Sequence, residues 1–152
     1  MISVIFREPT QSDLDALAAN MRAYDRTECI AMGLEPHEAL SQGVKNSLWA
    51  YAAEVDGQVV TVFGLSQADL LSPEAHPWML CAEGIERHTK AVLVHTRRFL
   101  RQMHDSAETL VNAVHADNRT AIRFIQWCGF EMGARFEVRG EPFVAFEMKR
   151  AA

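Results

Sequence analysis

Side chains able to do chemistry are few in this sequence, and they are scattered. Three cysteines, Cys29, Cys81 and Cys128, form no C-x-x-C pair, and their odd number gives no disulfide framework, so they read as reduced, buried thiols. Six histidines at positions 37, 76, 88, 95, 104 and 115 lack the H-E-x-x-H or C-x-x-C spacing that would gather ligands around zinc. No metal site is expected. Lys90, Arg97, Arg98 and Arg101 share one arc of a helical segment, which reads as a solvated face or an anion contact on an otherwise acidic chain. The stretch NRTAIRFIQWCGF, residues 118–130, opens on an asparagine that can accept a backbone N–H and closes on a glycine that permits a left-handed turn.

The elements that must position these groups fit one domain over residues 1–152. The chain is 49% hydrophobic and 23% charged, enough for a sizeable core. Its formal net charge of -5 is poor material for neutralising a nucleic-acid backbone or an anionic membrane. No apolar run approaches the roughly 18 residues of a membrane span, and MISVIFREPT has no basic region ahead of a long apolar one. The cytoplasm is the expected location.

ISVIF reads as a strand, and REPTQSDLDALAANMRAYD as one amphipathic helix with Ser12 and Asp15 as an acidic capping box and Leu14, Leu17, Ala18 and Met21 facing inward. A second helix covers EPHEALSQGVKNS, weakened by Gly43. LWAYAAEV and QVVTVFGLS form a hairpin about Asp56-Gly57, and PWMLCA reads as a central strand covered on both faces. ERHTKAVLVHTRRFLRQMHD is the longest helix, with Val92, Leu93, Thr96, Phe99, Leu100 and Met103 on its apolar arc. TLVNAVHA is a strand and NRTAIRFIQWC a helix, and a last hairpin turns at Arg139-Gly140-Glu141. This order predicts an α/β (α+β) fold, a mixed, twisted and mainly antiparallel sheet of about six to seven strands with helices on both faces.

The order and the late motif resemble the GNAT superfamily of acyl-CoA-dependent N-acetyltransferases. Asn118, Ala121, Phe124, Ile125, Gly129 and Phe130 meet the spacings of that motif. The resemblance implies acetyl-CoA as cofactor, with its phosphates on backbone amides of the turn after the central strand, Gly84 to Thr89, beside Arg87 and Lys90. It places Asn118 along the pantetheine arm and Glu83 or Glu86 as the group that deprotonates an amine. Two departures stand out. The turn reads CAEGIERHTKAVLV, where Gly84 is the only glycine of an expected R/Q-x-x-G-x-G/A pattern, and Ile125 replaces a general-acid tyrosine.

The blocks KNSLWAYAAEVDGQVVTVFGLS, GIERHTKAVLVHTRRFLRQMHD and HADNRTAIRFIQWCGFEMGARFEVRGEPFVAFEM resemble the small GNAT-like internal virion proteins of T7-like short-tailed bacteriophages. That resemblance implies a phage-encoded protein with a degenerate acetyl-CoA site, acting in the virion or its assembly from the host bacterial cytoplasm. Its partners would be virion or host proteins, or further copies of itself. Trp49, Trp78, Trp127 and the basic arc are the candidate contacts. The alternative is an active acetyl-CoA-dependent N-acetyltransferase acting on a primary amine.

Overall fold

The computed structural model describes residues 3–151, so Ile2 of the expected first strand lies outside the described residues. The elements run β1 (Val4–Arg7), α1 (Gln11–Ala19), α2 (Ala23–Ala31), α3 (Pro36–Asn46), β2 (Ser47–Val55), β3 (Gln58–Ser66) and β4 (Glu74–Cys81). A single 3-10 turn (Ile85–His88) leads into α4 (Thr89–Ser106), followed by β5 (Thr109–His115), α5 (Arg119–Cys128), β6 (Glu131–Val138) and β7 (Glu141–Lys149). The seven strands lie in the order β1-β2-β3-β4-β5-β7-β6, antiparallel throughout except between β4 and β5.

Local turn chemistry sets both hairpins. Asp56 and Gly57 adopt φ of 51° and 78°, and Arg139 and Gly140 adopt 47° and 81°, so each pair supplies the two positive-φ residues of a tight hairpin turn. α5 also follows its sequence. Asn118 Oδ1 accepts the Ala121 N–H at 3.2 Å, and Gly129 ends the helix at φ 109°.

The N-terminal third departs from expectation in two ways. One predicted helix is two, because Met21 bridges Ala82 and the Arg22 N–H donates to the Cys81 carbonyl at 2.9 Å. Pairing with the end of β4 pulls Met21 and Arg22 out of the helix and sets α2 off in a new direction. The capping box is formed by Thr10 and Asp13, not Ser12 and Asp15. Asp13 N–H meets Thr10 Oγ1 at 3.2 Å, and Thr10 N–H meets Asp13 Oδ2 at 2.7 Å. Arg7 fixes that choice by donating to the same Asp13 oxygen at 2.6 Å, while Asp15 is left to Gln11 and His37.

Helices α1 to α3 cover one face of the sheet, burying Leu14, Leu17 and Leu40 against Ala52 and Val62. α4 and α5 cover the other. Phe99 of α4 packs on Phe6 and Phe63 with ring centroids 4.8 Å away in each case, while Lys90, Arg97, Arg98 and Arg101 stay exposed. The Arg97 guanidinium lies over exposed Trp127 at 5.3 Å, and Trp49 and Trp78 are half-buried. β4 is half-buried along most of its length, not covered on both faces, because a cleft opens beside it.

Candidate functional site

β4 and β5 pair only at Glu74 with Thr109 and Ala75 with Leu110, and then part. Pro77, the next β4 residue turned toward β5, has no N–H to donate, so the ladder lacks a bond where the strands begin to diverge. Side chains bridge the start of the opening. Asn112 Nδ2 donates to the Pro77 carbonyl at 2.6 Å, and His76 Nδ1–H donates to the Val111 carbonyl at 3.0 Å.

Further along, the opening strands would leave their facing backbone groups without partners. α2, the helix missed in the sequence, supplies them. Asp25 Oδ2 accepts the Cys81 N–H of β4 at 2.7 Å, and Glu28 Oε1 accepts the His115 N–H of β5 at 2.8 Å. One turn of helix thus places a carboxylate on each lip. Asp25 is 2% exposed and paired with Arg22, whose Nη2 lies 3.0 Å from Oδ1. Burial pushes the Asp25 carboxyl above its ordinary range, against the pull of Arg22 and the Cys81 N–H. Burial likewise pushes Glu28 up to about 7, with Asp25 adding to the shift and the His115 N–H opposing it.

His115 is held from three sides. Its Nδ1 accepts the Asp117 N–H at 3.1 Å, which leaves the proton on Nε2 to be donated to Glu141 Oε2 at 2.9 Å, and the Tyr24 ring lies 5.3 Å away. On β4, N–H and C=O of one residue point to the same edge and alternate along the strand. Since Cys81 and Pro77 turn their groups toward the opening, Met79 between them does so too. The opening belongs to a cleft of about 1020 Å³ whose lining is mostly apolar. It runs from Cys29 and Met32 on the α2 side to Val92, Phe124 and Ile125 between α4 and α5.

The residues singled out in the sequence are dispersed. Asn118, 4% exposed, and Glu86 line the cleft, with Glu86 Oε1 3.8 Å from Arg22 Nη1. Glu83 is exposed off the cleft, its N–H donating to the Asn20 carbonyl at 2.8 Å. Gly84 adopts φ 82°, and a Cβ there would collide with the Arg87 guanidinium, which lies over the turn. Arg87, His88, Lys90, Ala91 and Val94 surround a separate hollow at the start of α4. His88 makes no side-chain cap, and its Nδ1 is buried without a partner. The turn spends the N–H groups of Ile85, Arg87 and Thr89 on its own carbonyls, so the orphaned imidazole nitrogen and the two cations are what would fit a phosphate group. Among the described residues no set of His, Cys, Asp or Glu is placed to hold a metal, and no helix is long and apolar enough to cross a membrane.

Sequence reasoning missed Asp25 and Glu28. The available signal was the R-x-x-D-x-x-E spacing of Arg22, Asp25 and Glu28, which keeps the two carboxylates on one side of a helix with the arginine at its start.

No family model and no curated protein matches the sequence. Solved structures share its fold. Ard1 from Thermoplasma volcanium superposes with a TM-score of 0.70 at 17% identity, covering 99% of each chain. Ribosomal-protein-alanine N-acetyltransferase from Brucella melitensis gives 0.67 at 18% identity, over 96% of this chain and 99% of that one. AAC(6')-Ib in complex with ribostamycin and coenzyme A gives 0.69 at 16% identity, over 97% and 94%.

Proposed function

Because the chain carries the GNAT N-acetyltransferase fold over nearly its whole length, we propose that it is an acetyl-CoA-dependent N-acetyltransferase acting on a primary amine. The observation that carries this reading is the Glu28 carboxylate, held in the strand opening with its proton affinity centred at about 7. A base so poised takes a proton from an incoming ammonium near neutral pH, and the apolar cleft favours the neutral amine that results. The Met79 N–H, turned into the opening, is placed to donate to an oxygen that gains negative charge. Glu83 and Glu86, the carboxylates singled out in the sequence, are both exposed.

When bound, acetyl-CoA supplies the activated thioester carbonyl. Arg87, Lys90 and the turn from Gly84 to Thr89 would hold its phosphates, and Asn118 and Phe124 would flank the pantetheine arm. Ile125 has no proton to give, so solvent would have to carry the second proton from the amine nitrogen to the leaving sulfur. The proton collected by Glu28 returns to water through the cleft.

Isothermal titration with acetyl-CoA and with CoA at low salt tests the reading. Micromolar binding, about -8 kcal/mol, weakened by Arg87→Ala and Lys90→Ala, is expected. Acetylation of a broad amine panel should fall about 10²- to 10⁴-fold in Glu28→Gln. A chain that neither binds the cofactor nor acetylates any amine would overturn the proposal.

A second reading rests on the cofactor turn. Arg87 folded over a lone Gly84 and Ile125 at the general-acid position depart from the superfamily pattern, and the first departure agrees with the resemblance to the internal virion proteins of T7-like phages. On that reading the chain is a phage-encoded scaffold whose basic arc and Trp127 meet virion or host proteins. A folded protein showing no heat and no thermal shift at millimolar acetyl-CoA would favour it.

A further inference from the structure

The acceptor end of the cleft has a floor that acetyl transfer does not itself require. Trp78 of β4 is set between two glycines. A Cβ on Gly43 of α3 would come within 3.1 Å of its ring, and one on Gly64 of β3 within 3.1 Å of Nε1. The indole N–H donates to Ser47 Oγ at 2.7 Å, and the Ser47 hydroxyl donates to the Gly43 carbonyl at 2.6 Å. The ring is thereby pinned to α3. Gly43 has no positive φ and weakens the helix it sits in, so its contribution is room for the indole.

The walls are apolar and the inner end is acidic. Cys29, Met32 and Leu34 line the α2 side of this groove, while Gln42 of α3 adds only a neutral amide. At the inner end stand Asp25 and Glu28. The Arg22 guanidinium, placed against Asp25 and facing Glu86, is already paired. A ligand entering here meets carboxylates with no spare cation beside them among the described residues.

We infer that this groove selects a primary ammonium carried on an apolar or aromatic body, the body on Trp78 and the ammonium at Glu28, with buried Asp25 behind it. An amino acid would bring its own carboxylate against two others, and like charges at that range repel. A polyamine would have to set its second ammonium among Met32, Leu34 and Trp78, none of which carries a negative charge to pair with it. The negative face of the indole also attracts the positive edge of an aromatic body packed on it. The turnover part of this inference rests on the acetyltransferase reading, whereas the binding part does not.

The test is titration calorimetry at pH 8 without acetyl-CoA, using phenethylamine, phenylalanine and spermidine, followed by acetylation assays on the same three. Phenethylamine should bind at least tenfold more tightly than the other two and be acetylated with the highest kcat/KM. Trp78→Leu should raise KM for phenethylamine more than for ethylamine. Should that variant fail to fold, Met32→Glu serves instead. Met32 is 47% exposed, so the change leaves the core alone, and it should improve spermidine binding about tenfold by giving the second ammonium a partner. Phenethylamine binding without any acetylation keeps the inference and removes the acetyltransferase reading. Equal binding of all three probes, or preference for phenylalanine or spermidine, overturns the inference even where some amine is acetylated.

Discussion

Replacing Glu28 by Gln removes a charge while keeping the shape and the oxygen that accepts the His115 N–H. Burial first, and Asp25 second, lift this carboxyl from 4.5 to about 7 in the folded chain. The folded state therefore holds the proton more tightly than the unfolded chain does. Its stabilising contribution is complete below about pH 4.5 and is lost as pH rises through about 7. At 1.36 kcal/mol per pH unit, the span from 4.5 to about 7 is worth at most about 3 to 4 kcal/mol. Glu28→Gln has no such loss. It should match the parent near pH 4 and exceed it by about 1 to 3 kcal/mol at pH 8. Urea unfolding followed by tryptophan fluorescence at several pH values from 4 to 8 measures this directly. A gain in stability that grows with pH, accompanied by lost acetylation, is the pattern of a group kept for function against stability. Parallel stability curves for the two proteins would refute the buried-base argument, whatever happens to activity.

Asp13→Asn should behave in the opposite sense. Hydrogen bonds from Arg7 hold the Asp13 carboxyl down at about 2 from an ordinary 3.8, so its contribution is present above pH 3.8 and lost as pH falls through about 2. The variant should lose up to about 2 kcal/mol at pH 7 in urea titrations, and the difference should close toward pH 2. Gly129→Ala places a side chain at φ 109° and should cost about 1 to 2 kcal/mol, read as a lower Tm. Phe130→Ala, at a site 8% exposed and edge-on to Phe146, should cost about 3 to 5 kcal/mol, whereas half-buried Phe124→Ala, stacked on Trp127 near the surface, should cost clearly less. Equal losses at the two phenylalanines would contradict the packing described for α5.

Several elements were legible because their causes are local. Asp56-Gly57 and Arg139-Gly140 tolerate positive φ, Asn118 and Gly129 bound α5, and the apolar arc of α4 repeats at helical spacing. Each signal lies within a few residues of the feature it sets. The split between α1 and α2 has no such signal. It is imposed by Met21 and Arg22 pairing with Ala82 and Cys81, some sixty residues away in the chain. The capping box moved for the same kind of reason, since Arg7 on β1 favours Asp13 over Asp15.

The candidate site divides along the same line. By itself the sequence determined the succession of strands, the last two helices, the hairpins, the cap at Asn118 and the single glycine of the turn before α4, all of which follow from backbone preferences and spacing. Only the tertiary structure decided where the carboxylates proposed as a base and the groove proposed for the acceptor lie. The N–H groups that hold Asp25 and Glu28 become available only because β4 and β5 part, and they come from residues 56 and 87 positions further along the chain. The proton affinity of Glu28 is set by burial between α2 and β5, and the setting of Trp78 by glycines on α3 and β3. Such properties belong to assembled surroundings, and no stretch of residues carries them alone.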